Sequence, residues 1–411
     1  EHNSDAYLRR LCEVNLVTAA TPSMHCDEAV MASIAPLWHE PEVIRDWSAT
    51  GCVEPTISGK HLGHTNCMMF SLVAALEMAL YDGWHPLMDW KVGPSTGDPV
   101  AGAFPTFEGF FSAYAKQLEF LADQAVTYNN LLGEAHSVLR PTPLLSSVID
   151  GTIRSGKDVT VGGARFNSSG MACIGLTDVV DSLAAIKRLV YDEGRVGFGE
   201  LIAALRSDFA GHEDLHSLIA SKVAKFGSGD PEALELANRV QRITHDMFAA
   251  RRNFRDGPYT TGWWSMSNHV AFGSLTGALP SGRRAGKAFT PGLTPSPGAS
   301  PNLLDNLRDV ACLDNTVMDN NMAFNVKYVP AASDSHERSV ANMAAYAKGY
   351  FQLGGMQMQL NVVSSEMLRD AMAHPENYRD LLVRISGYNA YFVTLNRDMQ
   401  IELIERAEFG A

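Results

Sequence analysis

Positive charge is scarce in this 411-residue chain: 33 lysines and arginines stand against 46 aspartates and glutamates, for a net charge of −13. No basic run occurs anywhere. Nucleic acids and anionic membrane surfaces are held by clustered Lys and Arg, so neither is an expected partner. Long apolar runs are missing too. No window of about 18 uninterrupted apolar residues exists, so no membrane-spanning helix is expected. Cysteine is sparse, with six residues at 12, 26, 52, 67, 173 and 312, none in a C-x-x-C pair. Such spacing suggests no disulfide framework and no iron–sulfur cluster, and free thiols point to a reducing cytoplasm. Five of the six read as small buried apolar residues; Cys52, in its loop, is the exception. Also absent are a low-complexity linker, a short-period repeat, a Ser/His/Asp spacing and a phosphate-cradling glycine loop. The chain opens Glu1-His2-Asn3-Ser4 without a methionine or an apolar leader, as expected of a cut, processed or separately encoded piece.

What is present is ordinary globular material, 46% apolar, enough for one large core or two domains. Ser4 caps an expected first helix bearing Tyr7, Leu8, Leu11 and Cys12. Residues 56–69, with His61, His64, Asn66 and Cys67, read as a polar loop. An amphipathic helix is expected over 70–80, stopped by Gly83 with Pro86 beyond. Thr177 reads as the cap of a helix running to Gly194, and Asp178 and Asp181 as solvated acids on it. Asp230-Pro231 starts another helix, a cap followed by proline in the first turn. Residues 277–301 read as loop, 356–363 as an alternating strand, and Ser364 or Ser365 as the cap of a short helix. A closing helix is expected over 398–408. Helices alternating with short strands argue for an α/β fold.

Two short stretches carry chemistry. Arg384-Ile385-Ser386-Gly387-Tyr388-Asn389-Ala390 places a glycine inside a segment that otherwise reads as strand or tight loop, where glycine marks a bend or a close backbone approach. It closely resembles the C-terminal glycine-radical motif of the glycyl radical enzymes. Far upstream, Gly51-Cys52-Val53-Glu54-Pro55 resembles the cysteine finger loop of the same family. Segments at 157–167, 277–286 and 374–376 also look like family segments. The resemblance covers essentially the whole chain and corresponds to the C-terminal half of the family's usual length.

The resemblance implies half of a ten-stranded glycyl-radical-enzyme α/β barrel with Cys and Gly finger loops. Residues 1–275 form the C-terminal part of the pyruvate formate-lyase-like barrel domain, and residues 276–411 the glycine radical domain. It further implies that Gly387 stores a radical and that Cys52 relays it as a thiyl to a substrate C–H. Glu54 then serves as the base of an elimination: dehydration, C–N cleavage or C–S cleavage. Val53 stands where an acyl-carrying second cysteine occurs in pyruvate formate-lyase itself. An arylacetate-type decarboxylase is the alternative reading, as is a radical-bearing subunit of a split enzyme with another C–C chemistry. The spacing of His61, His64 and Cys67 can be read as part of a zinc site, but the stretch matches a family segment facing substrate. No metal is therefore expected, and His64 and His85 are substrate-contact candidates. Arg165, Arg283 and Arg284 read as loop anchors. No bound cofactor is expected. The implied partners are a radical S-adenosylmethionine activase, a polypeptide supplying the N-terminal half-barrel, and a second copy of the complete unit.

Overall fold

The computed structural model of the chain describes residues 3–331 and 333–408. Among these, twelve strands form five small sheets. In chain order they are β1 (Met24–His25), β2 (Trp47–Thr50), β3 (Glu54–Ile57), β4 (His61–Ser71), β5 (Trp84–His85) and β6 (Trp90–Lys91). β7 (Phe166–Ile174), β8 (Tyr259–Gly262), β9 (Asn325–Lys327), β10 (Gln357–Asn361), β11 (Leu382–Arg384) and β12 (Asn389–Tyr391) follow.

Five of them run parallel. β4, β7 and β8 form one ladder, and β9 and β10 another. A single parallel bridge between Trp263 and Met322 joins β8 to β9: the Trp263 N–H donates to the Asn321 carbonyl, and the Trp263 carbonyl accepts from the Ala323 N–H. Their order is therefore β4-β7-β8-β9-β10, with two-residue β1 antiparallel on the far edge of β10. This is the five-stranded half-barrel expected. Parallel strands need helical crossovers that cover the sheet, and helices supply them. Leu72–Leu80 buries all but one of its nine residues, and Leu176–Ile186 all but one of eleven.

Several expected elements stand where the sequence placed them. Ser4 accepts from the Tyr7 N–H at the start of helix Asp5–Thr18. Asp230 caps Pro231–Ala249, and Ser364 rather than Ser365 caps Ser365–Ala373. The closing helix is Arg397–Glu408. Arg283 holds the 277–301 loop by donating to the carbonyls of Gly273 and Gly277, and Arg165 pairs with Glu40. Among the described residues, no helix is long and apolar enough to cross a membrane.

Other expectations need correction. Residues 56–69 are not a loop: they complete β3 and supply most of the eleven-residue β4. Their polarity misleads because residues 62–66 of this strand line a cavity, while Cys67, Met68, Met69 and Phe70 pack on the hydrophobic core. Thr177 is not a cap; Gly175 precedes the helix, and the Thr177 hydroxyl donates to the Thr294 carbonyl. Asp178 and Asp181 are buried, not solvated. Asp178 accepts from the Thr290 N–H and hydroxyl, and Asp181 from the Phe226 N–H and the Ser296 hydroxyl. Both tie loops to the helix. The 33-residue helix Phe107–Leu139 has no expected counterpart. Of the five cysteines read as buried, Cys12 and Cys173 are; Cys26 and Cys67 are part-buried and Cys312 is exposed.

The C-terminal segment has a small apolar cluster of its own, including Val363, Leu368, Val383, Ile385, Phe392, Leu403 and Ile404. A buried ion pair lies within the closing helix, and each of its partners also reaches beyond that helix. Arg406 forms a two-bond fork with Glu402 and donates to the Ile385 carbonyl at 2.9 Å. His269 Nε2 lies 3.5 Å from the same carboxylate. Burial opposes ionisation of Glu402, but Arg406 and His269 overcome it and draw its pKa down to about 2. Removing one partner of such a buried pair strands the other charge, so Arg406→Met is expected to lower unfolding free energy by about 3 kcal/mol. Denaturant titration checks it; a loss under about 1 kcal/mol contradicts the assignment. Because the folded pKa of Glu402 is depressed, its contribution is complete above the ordinary carboxylate value and fades as pH falls toward 2. The variant's deficit should shrink over that acid range.

Candidate active site

Two antiparallel hairpins point their tips at one another. The first pairs β2 with β3, Thr50 opposite Glu54, leaving Gly51, Cys52 and Val53 at the tip. Gly51 has φ +69, a left-handed conformation that side chains disfavour. The second pairs β11 with β12, Arg384 opposite Asn389, and Gly387 at its tip has φ +90. A Cβ built on Gly387 would stand 2.4 Å from Cys52 Cβ and 2.9 Å from Cys52 Sγ. Real side chains do not approach so closely, so only glycine fits. The α-hydrogen in that direction points at Cys52, and the Gly387 α-carbon lies at most roughly 4.4 Å from Sγ, given a C–C bond of about 1.5 Å.

The surrounding groups fix both tips. Glu54 is buried and turns back over its own hairpin. Its Oε2 accepts from the Cys52 and Val53 N–H groups at 2.8 and 2.6 Å. Its Oε1 accepts only a longer bond, 3.3 Å, from the Thr65 hydroxyl on β4. Asn321 donates to the Val53 carbonyl at 2.7 Å. On the glycine side, Asn361 of β10 clamps the Arg384 backbone, accepting from its N–H at 2.7 Å and donating to its carbonyl at 2.8 Å. Ser386 is buried, and its hydroxyl accepts from the Ser265 N–H. Gln359 accepts from Arg384 Nε at 2.6 Å and from the Gly387 N–H at 3.1 Å.

Arg384 is buried, yet no carboxylate pairs with it among the described residues; burial draws its pKa down to about 10. His25 lies near it. Burial, then the Arg384 charge, pulls the His25 pKa down to about 4, so its imidazole is neutral at pH 7. Burial pushes the Cys52 thiol up to about 11, with the Glu54 carboxylate adding to the rise and Arg384 opposing it.

The pyruvate formate lyase-like family profile matches residues 1–273, and the glycine radical profile matches residues 289–393. The chain belongs to the pyruvate formate lyase-like glycyl radical enzymes. It is 29% identical to trans-4-hydroxy-L-proline dehydratase of Clostridioides difficile over 98% of this chain and 50% of that protein. It is 30% identical to (2S)-3-sulfopropanediol dehydratase of Klebsiella oxytoca over 89% of this chain and 45% of that one. The structure of the B12-independent glycerol dehydratase from Clostridium butyricum superposes with a TM-score of 0.94 at 31% identity, covering 99% of this chain and 51% of that one. The chain thus spans about half the length of the curated relatives it matches, and its fold is that of a glycyl radical enzyme barrel. The matched glycine radical profile supports a glycyl radical modification.

Within this glycyl radical enzyme chain, Gly387, Cys52 and Glu54 come together and the two histidines do not join them. His64 lines a cavity of about 380 Å³ with Thr65, Asn66, His136, Phe254 and Arg255; Cys52, Glu54 and Gly387 are not among its lining residues, although Thr65 reaches Glu54. His85 is on β5 and accepts from the Leu87 N–H. Sequence reasoning passed over Gln359, Asn361, His25 and Asn321. One signal was available: polar residues at 357, 359 and 361 alternate along a strand whose five residues are all buried.

Burial keeps the Cys52 thiol protonated well beyond the range of an ordinary cysteine. In difference spectra against Cys52→Ser, thiolate absorbance near 240 nm should titrate with a midpoint near 11. A midpoint at or below 9 contradicts the burial argument.

Proposed function

We propose that this chain is the radical-bearing half of a glycyl radical lyase that eliminates a leaving group from a small organic substrate. The contact between Gly387 and Cys52, with Glu54 on the same hairpin as the cysteine, carries the reading. Gly387, having lost the α-hydrogen that faces Cys52, takes the hydrogen atom of the Cys52 thiol. The Cys52 thiyl takes a hydrogen atom from a substrate carbon bearing a hydroxyl. Glu54 Oε1, the oxygen less occupied by the loop, accepts the hydroxyl proton. The adjacent leaving group departs with its bonding pair, and the product radical recovers a hydrogen atom from Cys52. Burial keeps water and oxygen from these intermediates.

Val53 behind Cys52 supports elimination, because no second thiol stands there to carry an acyl group. The similar proteins from C. difficile, K. oxytoca and C. butyricum are dehydratases by name, which favours elimination over arylacetate decarboxylation. Installation of the radical falls to a separate S-adenosylmethionine-dependent activase. Gly387 reaches it when the C-terminal segment, which has its own apolar cluster, swings away from the Cys52 hairpin. The remaining strands of the barrel come from further polypeptide. Exposed apolar side chains over 128–153, among them Leu131, Val138, Leu139, Leu144 and Ile153, are the surface it would cover.

Two variants separate the roles. Cys52→Ser leaves the glycine radical formable and abolishes turnover, because an O–H bond is too strong for the exchange. Glu54→Gln retains hydrogen exchange with substrate and loses about 10²- to 10⁴-fold in turnover, the worth of a positioned base. Deuterium transfer from labelled substrate and product formation are measured side by side on the activated assembly. Near-normal turnover in the glutamine variant removes Glu54 as the base.

A further inference from the structure

Among the described residues, the side chain of Gln359 is the one group that accepts a hydrogen bond from the backbone N–H of Gly387, and its orientation is unambiguous. Both partners at 2.6 and 3.1 Å, Arg384 Nε and the Gly387 N–H, are donors without acceptor capacity, so the carbonyl oxygen must face them. The amide nitrogen at the other end donates to Asn325 Oδ1 at 2.6 Å, on the neighbouring strand in register with Gln359. Asn325 in turn donates to the Thr294 hydroxyl. The residue is completely buried.

The glycine hairpin does not need Gln359 to hold its shape. Its base is clamped by Asn361, its turn closes by the Ile385 N–H to the Tyr388 carbonyl, Arg406 holds the Ile385 carbonyl, and Ser386 accepts from Ser265. The bond from Gly387 to Gln359 is therefore additional to the fold, and it lands on one of the two amides into which an unpaired electron at the α-carbon delocalises, the one that donates from nitrogen.

We propose that Gln359 is the positioning residue for radical storage at Gly387, acting through the glycine's own amide. The bond fixes the plane of the 386–387 peptide, against which the α-carbon must flatten when it loses a hydrogen atom. Drawing the N–H proton toward an oxygen also increases electron release from nitrogen into the half-filled orbital. Arg384 holds the accepting oxygen in place with a charge-assisted bond, which gives that buried cation a task in the absence of a carboxylate partner. Arg384 acts on the glycine at one remove, and the strand β10 carries the acceptor as a rigid support.

This inference rests on the reading of Gly387 as the storage site, and the test separates the two. The radical is generated with the activase in the assembly that supplies the remaining strands, for wild type, Gln359→Leu, Gln359→Asn and Gln359→Glu, each with ¹⁵N-glycine. Electron paramagnetic resonance records the α-hydrogen doublet, the ¹⁵N coupling and the anaerobic half-life of the signal. The leucine variant lacks the acceptor and the asparagine variant withdraws it by one methylene. Both are expected to shift the ¹⁵N coupling and to shorten the half-life at least 5-fold, while the glutamate variant, which keeps an oxygen facing Gly387, stays within 2-fold of wild type. Either of the first two suffices if the other does not fold. A wild-type doublet with coupling and half-life unchanged in the leucine or asparagine variant overturns the inference alone. A wild-type enzyme with no glycine-type doublet overturns the reading of Gly387 and the inference together.

Discussion

Gly387 lies against Cys52 at a distance that leaves no room for a side chain, and much of the structure serves that contact. Neither hairpin tip has regular partners at its turn, so each is held by side chains from elsewhere. Asn321 and Glu54 fix the cysteine tip; Gln359, Asn361, Ser265 and Arg406 fix the glycine tip. The positive φ at Gly387 and the space filled by Cys52 each exclude other residues. Both conditions follow from bringing a backbone carbon, rather than a side chain, up to a thiol.

The interior that surrounds this contact is polar and buried. Gln357, Gln359, Asn361, Asn325 and Asn321 are all buried, and their amides satisfy one another and the two tips. Amides suit the task because they are neutral donors and acceptors; carboxylates there would need cations. The buried guanidinium of Arg384 is satisfied by the oxygens of Gln359 and Asn389. Burial keeps Cys52 a thiol and His25 neutral at pH 7.

How much of this the chain disclosed in advance differed by level. That Gly387, Cys52 and Glu54 belong together was legible because each lies inside a short motif, and the fold brings the two motifs into contact. The α/β class was legible from alternating helices and strands. β4 was misread as loop because its histidines and asparagine mimic loop composition, whereas a strand that lines a cavity tolerates them. Asp178 and Asp181 looked solvated because nothing local shows that Thr290, Phe226 and Ser296 return to meet them. The support of Gln359 for Gly387 was hidden for the same reason: it joins residues on different strands, and only the fold brings them together.

The central claim is that the unpaired electron of the activated enzyme resides at Gly387. Oxygen adds to such a carbon and the adduct breaks the backbone there, so mass spectrometry of the activated protein before and after exposure to air locates the electron. Cleavage at Gly387, with unactivated protein left intact, is the predicted result. A radical signal accompanied by cleavage elsewhere, or by no cleavage, would contradict the account.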